Sequence, residues 1–450
     1  MEKPAQASAG KRLPRLARSA LGSLPRDTRL GLYRRMVDCD ATPDSRLKLG
    51  IATTQHELEA CFGLLHDAYV ASGFMQPDPS GLRVTPYHAL PTTTTLFASF
   101  GDRIVGTLSI IREGVFGFPL QAVFDLTSIR AQPGRIAEIS ALAIHPEFRN
   151  TGGSILFPLM KFMYEYCTRY FDTRHLVIAV NPKHIEMYEA LLLFTRLQAQ
   201  AVANYDFVNG APAVGATLDL ASAPEAFRLA YEGRRPQRNL HHYFTEVSLA
   251  NITFPERPYF TTNDPVMSPA LLDYFFNQRT EVFNRFDGRK RHLLQAIYPE
   301  AAYRSVLPAP AADADEPSAL RRHRRLSLKC PGRLEAPHCG VPTAELEVVD
   351  VSRNGFLARA SSSLPEQVRG VVHIVLGQGD IATEMAVAVR SIRTAGGPYY
   401  GFHIESPGAT WLRCIAELET RNAPVGGREQ ANCSANPSED DWSLHDALTV

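Results

Sequence analysis

The chain has 450 residues, 45% hydrophobic and 21% charged, enough for two or three domains with sizeable cores. Its 47 basic and 47 acidic side chains cancel, which excludes a general nucleic-acid coat protein and an acidic solvating chain but leaves local basic patches open. No run approaches the roughly 18–20 consecutive apolar residues of a membrane span, and the N-terminus lacks the apolar core of a signal peptide. Seven scattered cysteines without a CxxC pair give neither a disulfide framework nor a zinc site. The expectation is a soluble, cytoplasmic protein with no metal, no prosthetic group and no DNA or RNA partner.

Residues 1–45 interleave arginines such as Arg12, Arg15, Arg18, Arg29 and Arg35 with small apolar residues, and Pro14 and Pro25 forbid one continuous helix. They read as a disordered basic leader, or as a segment touching an anionic membrane surface, which would make the protein peripheral at the inner membrane. From residue 46 to 222 the pattern alternates. A strand over 47–52 precedes a helical rhythm over 55–70. A hairpin joins 96–100 to 104–111, and Arg135–Ile144 is a strand leading through a loop into a helix over 151–170. A strand over 175–180 and a helix over 182–194 follow. This is a mixed α/β layer. Residues 223–306 read as a helical extension, with Ser268-Pro269 starting a helix that Gly288 ends. A Pro- and Ala-rich linker covers 307–317. Short alternating runs then give an all-β barrel over 318–420, with strands at 346–349, 371–376, 384–389 and 401–404 and a closing helix over 410–418. Residues 421–450 read as a disordered acidic tail.

Two places carry chemistry. Arg149, Thr151, Gly152, Gly153 and Ser154 lie between a strand and a helix, where glycine turns and a helix N-terminus gather N–H groups around a phosphate; a plain tight turn would look the same. Glu138 lies in a strand apolar on both sides, with Ile136, Ser140, Leu142 and Ile144 on its own face. A carboxylate there must be paired, neutral or functional. It can take the proton an amine loses as it attacks a thioester, or it can be a structural acid bonded to the backbone or an arginine. The second place is Arg321-Arg322-His323-Arg324-Arg325, followed by Asp350, Ser352 and Gly355 between two strands. Such a run is a solvated face or a nucleic-acid patch.

The Arg149-x-x-Gly152-x-Ser154 loop and the Asn181-Pro182 to Tyr188 segment resemble the GNAT acyltransferase superfamily. The run Ala137 to Ile144, His145-Pro-Glu-Phe-Arg149 and Asn181-Pro-Lys-His184 through Phe194 resemble its branch of N-acyl amino acid synthases and acyl-homoserine lactone synthases. The resemblance implies an acyl-donor loop at 149–154 and Glu138 as base or acceptor orienter. It also implies Tyr188 as the acid on the leaving thiolate, and an acceptor region near Asp125, with Arg130 or Arg135 to hold an acceptor carboxylate. Tyr188 is equally a core aromatic. Ser154 departs from the small residue of that loop, Leu193 stands in place of a glycine, and Pro158 is expected to kink the donor-side helix. A relaxed loop suits acyl carrier protein as donor somewhat better than coenzyme A.

Arg321-x-x-x-Arg325 with Asp350-x-Ser352-x-x-Gly355 resembles the PilZ domain, which binds cyclic di-GMP. Guanidinium forks match its phosphates and the guanine O6 and N7 edges, as Arg321, Arg322 and Arg325 could do here. The combined expectation is a GNAT-like acyltransferase with a helical extension, followed by an all-β PilZ-like barrel. Such a protein would join a fatty acyl group from acyl carrier protein (or acyl-CoA) to a small amine under cyclic di-GMP control. The alternatives are an inactive scaffold in a cyclic di-GMP effector and a coenzyme A-dependent N-acetyltransferase.

Overall fold

In the computed structural model, residues 24–421 are described apart from 150, 172, 263, 265–266, 299–300, 310–325, 366, 378 and 395–396. The chain divides into two compact units, Met1–Glu256 with Pro269–Asp315 and Arg257–Ser268 with Glu316–Val450.

The first unit is a mixed sheet with helices on its faces, the GNAT-like architecture expected. Its strands are β1 (Leu47–Ile51), β2 (Thr93–Phe100), β3 (Arg103–Arg112), β4 (Arg135–Ile144), β5 (Thr173–Val180), β6 (Thr195–Arg196), β7 (Val202–Tyr205) and β8 (Ala211–Asp219). They lie in the order β1-β2-β3-β4-β5-β8-β6, with β7 on β8. Only β4 and β5 are parallel neighbours, and their pairing runs from Arg135↔Thr173 to Glu138↔Val177 and stops. Beyond Glu138 the two strands part, which opens the sheet at its centre.

Two apolar clusters cover the two faces. One joins Ala137 and Ile139 to Phe162, Met163 and Tyr166 of the helix Leu156–Tyr170. The other joins Ile136 to Leu120, Phe124, Val177 and Tyr205. A bulge in β4 corrects the expected alternation. Two residues, Ala141 and Leu142, oppose the single Leu108 of β3, and Ala141 takes φ 54°. The extra residue reverses the phase, so Leu142 and Ile144 pack on the first cluster and no longer share a face with Ile136 and Glu138.

The leader expectation is also corrected. Arg26–Arg35 is a helix, with Pro25 directly before its first turn. Its arginines are engaged by the helix Ile185–Leu191: Arg29 meets Glu186 at 2.6 Å, Arg26 meets Glu189 at 3.1 Å, and Arg34 Nε donates to the Ala190 carbonyl at 2.9 Å. Residues 1–23 and the tail beyond 421 lie outside the described residues.

The extension breaks into short pieces where one helix was expected. Pro269–Asp273 passes into a π-helical stretch, Tyr274–Arg279, and Gly288 opens the helix Gly288–Ile297 and does not end one, because the Asp287 carboxylate accepts from Lys290 N at 2.8 Å. These pieces brace the helix Gln55–Ala71 and the loop between it and β2. Arg279 donates to the Ser80 carbonyl, Tyr298 to the Ala89 carbonyl, and Phe275 meets Phe62 edge-on.

The second unit is a closed antiparallel barrel of β9 (Leu326–Ala336), β10 (Val341–Ser352), β11 (Gly355–Ala360), β12 (Arg369–Gly377), β13 (Asp380–Thr394) and β14 (Gly397–Ile404), in the order β10-β11-β14-β13-β12-β9. The helix Ala409–Arg421 follows. Burial alternates perfectly along β9, from Leu326 through Leu328, Cys330, Gly332 and Leu334 to Ala336. β9 pairs with β12 only between Gly332 and Glu335. Where they diverge, the earlier segment Arg257–Ser268 fills the seam. Phe260 N donates to the Leu376 carbonyl, and Lys329 N and Thr262 N complete the pairing with β9. Arg257 and Asp264, both about nine-tenths buried, pair at 2.6 Å across this segment.

Candidate active site

Glu138 ends the part of β4 that pairs with β5, and it is 2% exposed. Leu120 N donates to its Oε2 at 3.0 Å, where the turn Pro119–Ala122 crosses that sheet face. Burial pushes the carboxyl up to about 8, against the opposing pull of that N–H. A carboxyl poised there suits proton exchange with an amine better than an ordinary carboxylate.

The surroundings are phenolic. Burial, then the Glu138 charge, push Tyr87 up to about 12, and the same two causes raise Tyr205. Burial lowers His88 to about 3, so its imidazole is neutral, and Nδ1 accepts from Thr85 N at 3.1 Å. Tyr188, half-buried on the helix Ile185–Leu191, is pushed up to about 12, by burial first and Tyr69 second. Its phenol holds its proton at neutral pH, as a proton donor must.

On the donor side, Arg149 Nε donates to the Ile144 carbonyl at 2.7 Å, which folds the loop back onto the end of β4. Gly152 and Gly153 take φ 72° and 90°, and a Cβ at Gly153 would run into the Phe157 ring. Thr151 and Ser154 join hydroxyls at 2.6 Å, so Ser154 is part of the loop's own bonding. The helix starts at Leu156. Pro158 therefore falls in its first turn, where an N–H has no intrahelical acceptor, and the expected kink is corrected to an ordinary helix start. Leu193 takes φ 58° just past the helix Ile185–Leu191, the left-handed position that glycine fills more easily.

The expected acceptor groups are engaged elsewhere. Exposed Asp125 caps a turn by accepting from Thr127 N at 2.9 Å and Thr127 Oγ1 at 2.7 Å. Arg130 pairs with Glu113 at 2.6 Å. Arg135 opens β4, half-buried, opposite Thr173. The sequence reading missed Tyr69, Arg83, Tyr87 and Tyr205, which the fold gathers from a helix, a long loop and a strand. A single arginine among aromatics in a loop of that length was the available signal.

In the barrel, Asp350, Ser352 and Gly355 sit at the β10–β11 hairpin. Ser352 Oγ donates to the Gly355 carbonyl at 3.1 Å, and a Cβ at Gly355 would strike the Phe402 carbonyl. Fully buried Trp411 anchors the turn, its Nε1 within 3.1 Å of the carbonyls of Ser352 and Arg353. Arg321, Arg322 and Arg325 lie outside the described residues. Among the described residues no His, Cys, Asp and Glu cluster could hold a metal, and no helix is long and apolar enough to cross a membrane.

Comparison with known proteins follows this division. The family described as N-acyl amino acid synthase FeeM matches residues 60–219. The structure of FeeM from uncultured soil microbes is 27% identical, with TM-score 0.35, over 41% of this chain and 97% of that one. BjaI, a CoA-dependent acyl-homoserine lactone synthase, is 20% identical, with TM-score 0.35, over 47% and 95%. The PilZ domain of YcgR from Escherichia coli, solved with c-di-GMP, is 19% identical, with TM-score 0.19, over 22% and 92%. No curated protein matches the chain. Residues 60–219 thus form an N-acyl amino acid synthase domain of the FeeM type, an N-acyltransferase, in a chain that continues into a closed six-stranded antiparallel barrel.

Proposed function

We propose that the first unit transfers a fatty acyl group from acyl carrier protein to the amine of an amino acid or similar small acceptor, and that the barrel binds cyclic di-GMP and adjusts this activity. The observation that carries the synthase reading is Glu138, a buried carboxyl pushed up to about 8 at the point where β4 and β5 part. The acceptor arrives as an ammonium ion and must lose a proton before it attacks. Its nitrogen then forms a bond to the thioester carbonyl carbon, the C–S bond breaks, and a second proton leaves the nitrogen. The first proton goes to solvent; ionised Glu138 accepts the second, directly or through a water, while the Tyr188 phenol protonates the departing thiolate and regains its proton from solvent. The loop Arg149–Ser154 holds the phosphodiester of the donor's pantetheine arm at the start of the helix Leu156–Tyr170.

The barrel reading rests on the complete Arg321-x-x-x-Arg325 and Asp350-x-Ser352-x-x-Gly355 motifs and on the rigid turn that Trp411 holds. Carrier protein and cyclic di-GMP are both cytoplasmic, and that is the location this reading takes.

The test is a product search by mass spectrometry. The full chain is given long-chain acyl carrier protein and the twenty L-amino acids, with and without cyclic di-GMP, beside Glu138→Gln. N-acyl amino acids absent from the variant are the expected result. Absence of any acylated amine under both conditions would overturn the synthase reading, and acetyl transfer from acetyl-CoA in its place would make the unit an acetyltransferase.

A further inference from the structure

The sequence offered Arg130 and Arg135 for the acceptor's carboxylate, but a better placed cation lies inside the unit. Arg83, in the loop between the helix Gln55–Ala71 and β2, is half-buried. Its guanidinium lies 4.1 Å over the Tyr69 ring and 5.0 Å from the Phe207 centroid, and it donates to the Phe207 carbonyl at 2.7 Å. Among the described residues no carboxylate pairs with it. Burial lowers its affinity for its proton, the mark of a desolvated cation without a counter-ion.

A second observation points to the same place. Tyr205 is 2% exposed, yet its hydroxyl finds no hydrogen-bond partner among the described residues. Such a group is costly unless a bound molecule satisfies it. Its ring stacks on Phe207 at 5.8 Å, the ring that also faces Arg83. Tyr205 shares the apolar cluster of Leu120, whose N–H holds Glu138. Tyr69 and Tyr205 both lie within electrostatic reach of Arg83 and of Glu138. The unpaired cation and the buried acid therefore bracket one aromatic-lined region.

We infer that Arg83 and the Tyr205 hydroxyl form the acceptor's carboxylate site, so that the enzyme acylates free amino acids and discriminates against amines that lack a carboxylate. The inference rests on the synthase reading and deepens it. The acceptor's carboxylate lies against the guanidinium, its amine is turned toward Glu138, and its side chain meets the faces of Tyr69, Tyr87 and Phe207. Arg83 touches the acceptor and sets its orientation, while the bond-forming proton transfers stay with Glu138.

The test uses the full chain, long-chain acyl carrier protein, and whichever L-amino acid is acylated most from an equimolar mixture, compared with its own carboxamide. The amide keeps the amine and side chain and removes only the negative charge. The native protein should favour the acid in kcat/KM by about 10- to 100-fold, the worth of a charge-assisted bidentate contact. Arg83→Gln should erase that preference, mainly through KM for the acid, and Arg83→Lys should restore part of it. Tyr205→Phe, which keeps the ring packing, should weaken the acid and spare the amide. A native protein that acylates acid and amide equally would overturn the inference while leaving the synthase intact. So would an Arg83→Gln variant that loses both alike, because a purely structural arginine gives that result. No acylated amine of any kind would overturn the synthase reading and this inference with it.

Discussion

The backbone N–H of Leu120 reaches Glu138 Oε2 at 3.0 Å and pulls the carboxyl toward ionisation, while burial pulls it the other way and wins. The folded protein thus holds Glu138 near 8, above its usual value near 4.5. Below that usual value both folded and unfolded chains are protonated and nothing is lost. As pH rises toward 8 only the unfolded chain ionises, so this residue makes the protein progressively less stable across that window, and the penalty is constant above it. Glu138→Gln keeps an acceptor for Leu120 and removes the titration. Its melting temperature should exceed that of the native protein by a margin that grows between about pH 4.5 and 8 and then levels, as calorimetry across that range would read. Its turnover should fall by roughly 100- to 10,000-fold, with loss of the rise in rate toward pH 8. A constant margin at all pH values would mean that Glu138 titrates normally.

The two glycines of the donor loop should respond differently. Alanine at Gly152 meets nothing within 4 Å and adds only the strain of φ 72°, roughly 1–2 kcal/mol. Alanine at Gly153 adds that strain and also drives a methyl into the Phe157 ring. Steady-state kinetics with varied acyl carrier protein should show KM for the donor rising several-fold for Gly152→Ala and about 10- to 100-fold for Gly153→Ala, with KM for the acceptor unchanged. Equal effects of the two would detach the loop's shape from donor binding.

Arg321→Ala with Arg325→Ala should weaken cyclic di-GMP binding by at least about 100-fold in titration calorimetry and leave acyl transfer insensitive to the nucleotide. Unchanged rates with and without saturating nucleotide in the native protein would refute control of the synthase and leave binding standing.

Trp411→Phe keeps an aromatic ring beside Phe356 and deletes the donor shared by the carbonyls of Ser352 and Arg353. It should destabilise the barrel by about 1–3 kcal/mol and lower its affinity for cyclic di-GMP, because the turn carrying Ser352 and Gly355 loses its anchor. A stability loss with full affinity would show that the turn is held by its strands alone.

Much of this organisation is legible in the residues. The β2–β3 hairpin, β4, β5 and the helix after Thr54 follow from apolar period and from a capping box that Thr54 and Glu57 complete. What escaped the sequence has physical causes. The bulge at Ala141 leaves no mark, since alanine gives no hint of a positive φ. β9 alternates without a fault, but Pro331-Gly332 at its middle has the composition of a turn, and only the ladder shows that a strand runs through it. The helix Arg26–Arg35 owes its place to Glu186 and Glu189, more than 150 residues away. Tyr69, Arg83, Tyr87 and Tyr205 share no local pattern at all. The site was readable where one strand and one loop carry it, and hidden where the sheet assembles it.

The visit of Arg257–Ser268 to the seam between β9 and β12 means that the chain crosses between its two units three times, at residues 256–257, 268–269 and 315–316. They are not beads on a string. A cut in the proline-rich stretch before Leu326, the obvious place for a molecular biologist to divide the protein, would release a barrel lacking the strip that completes its seam. The other fragment would carry Phe260 and Tyr259 with nothing to cover them. A chimera joined at that point would lack the strip for the same reason. The stretch 269–307, which braces the Arg83 loop, is flanked in sequence by barrel segments on both sides.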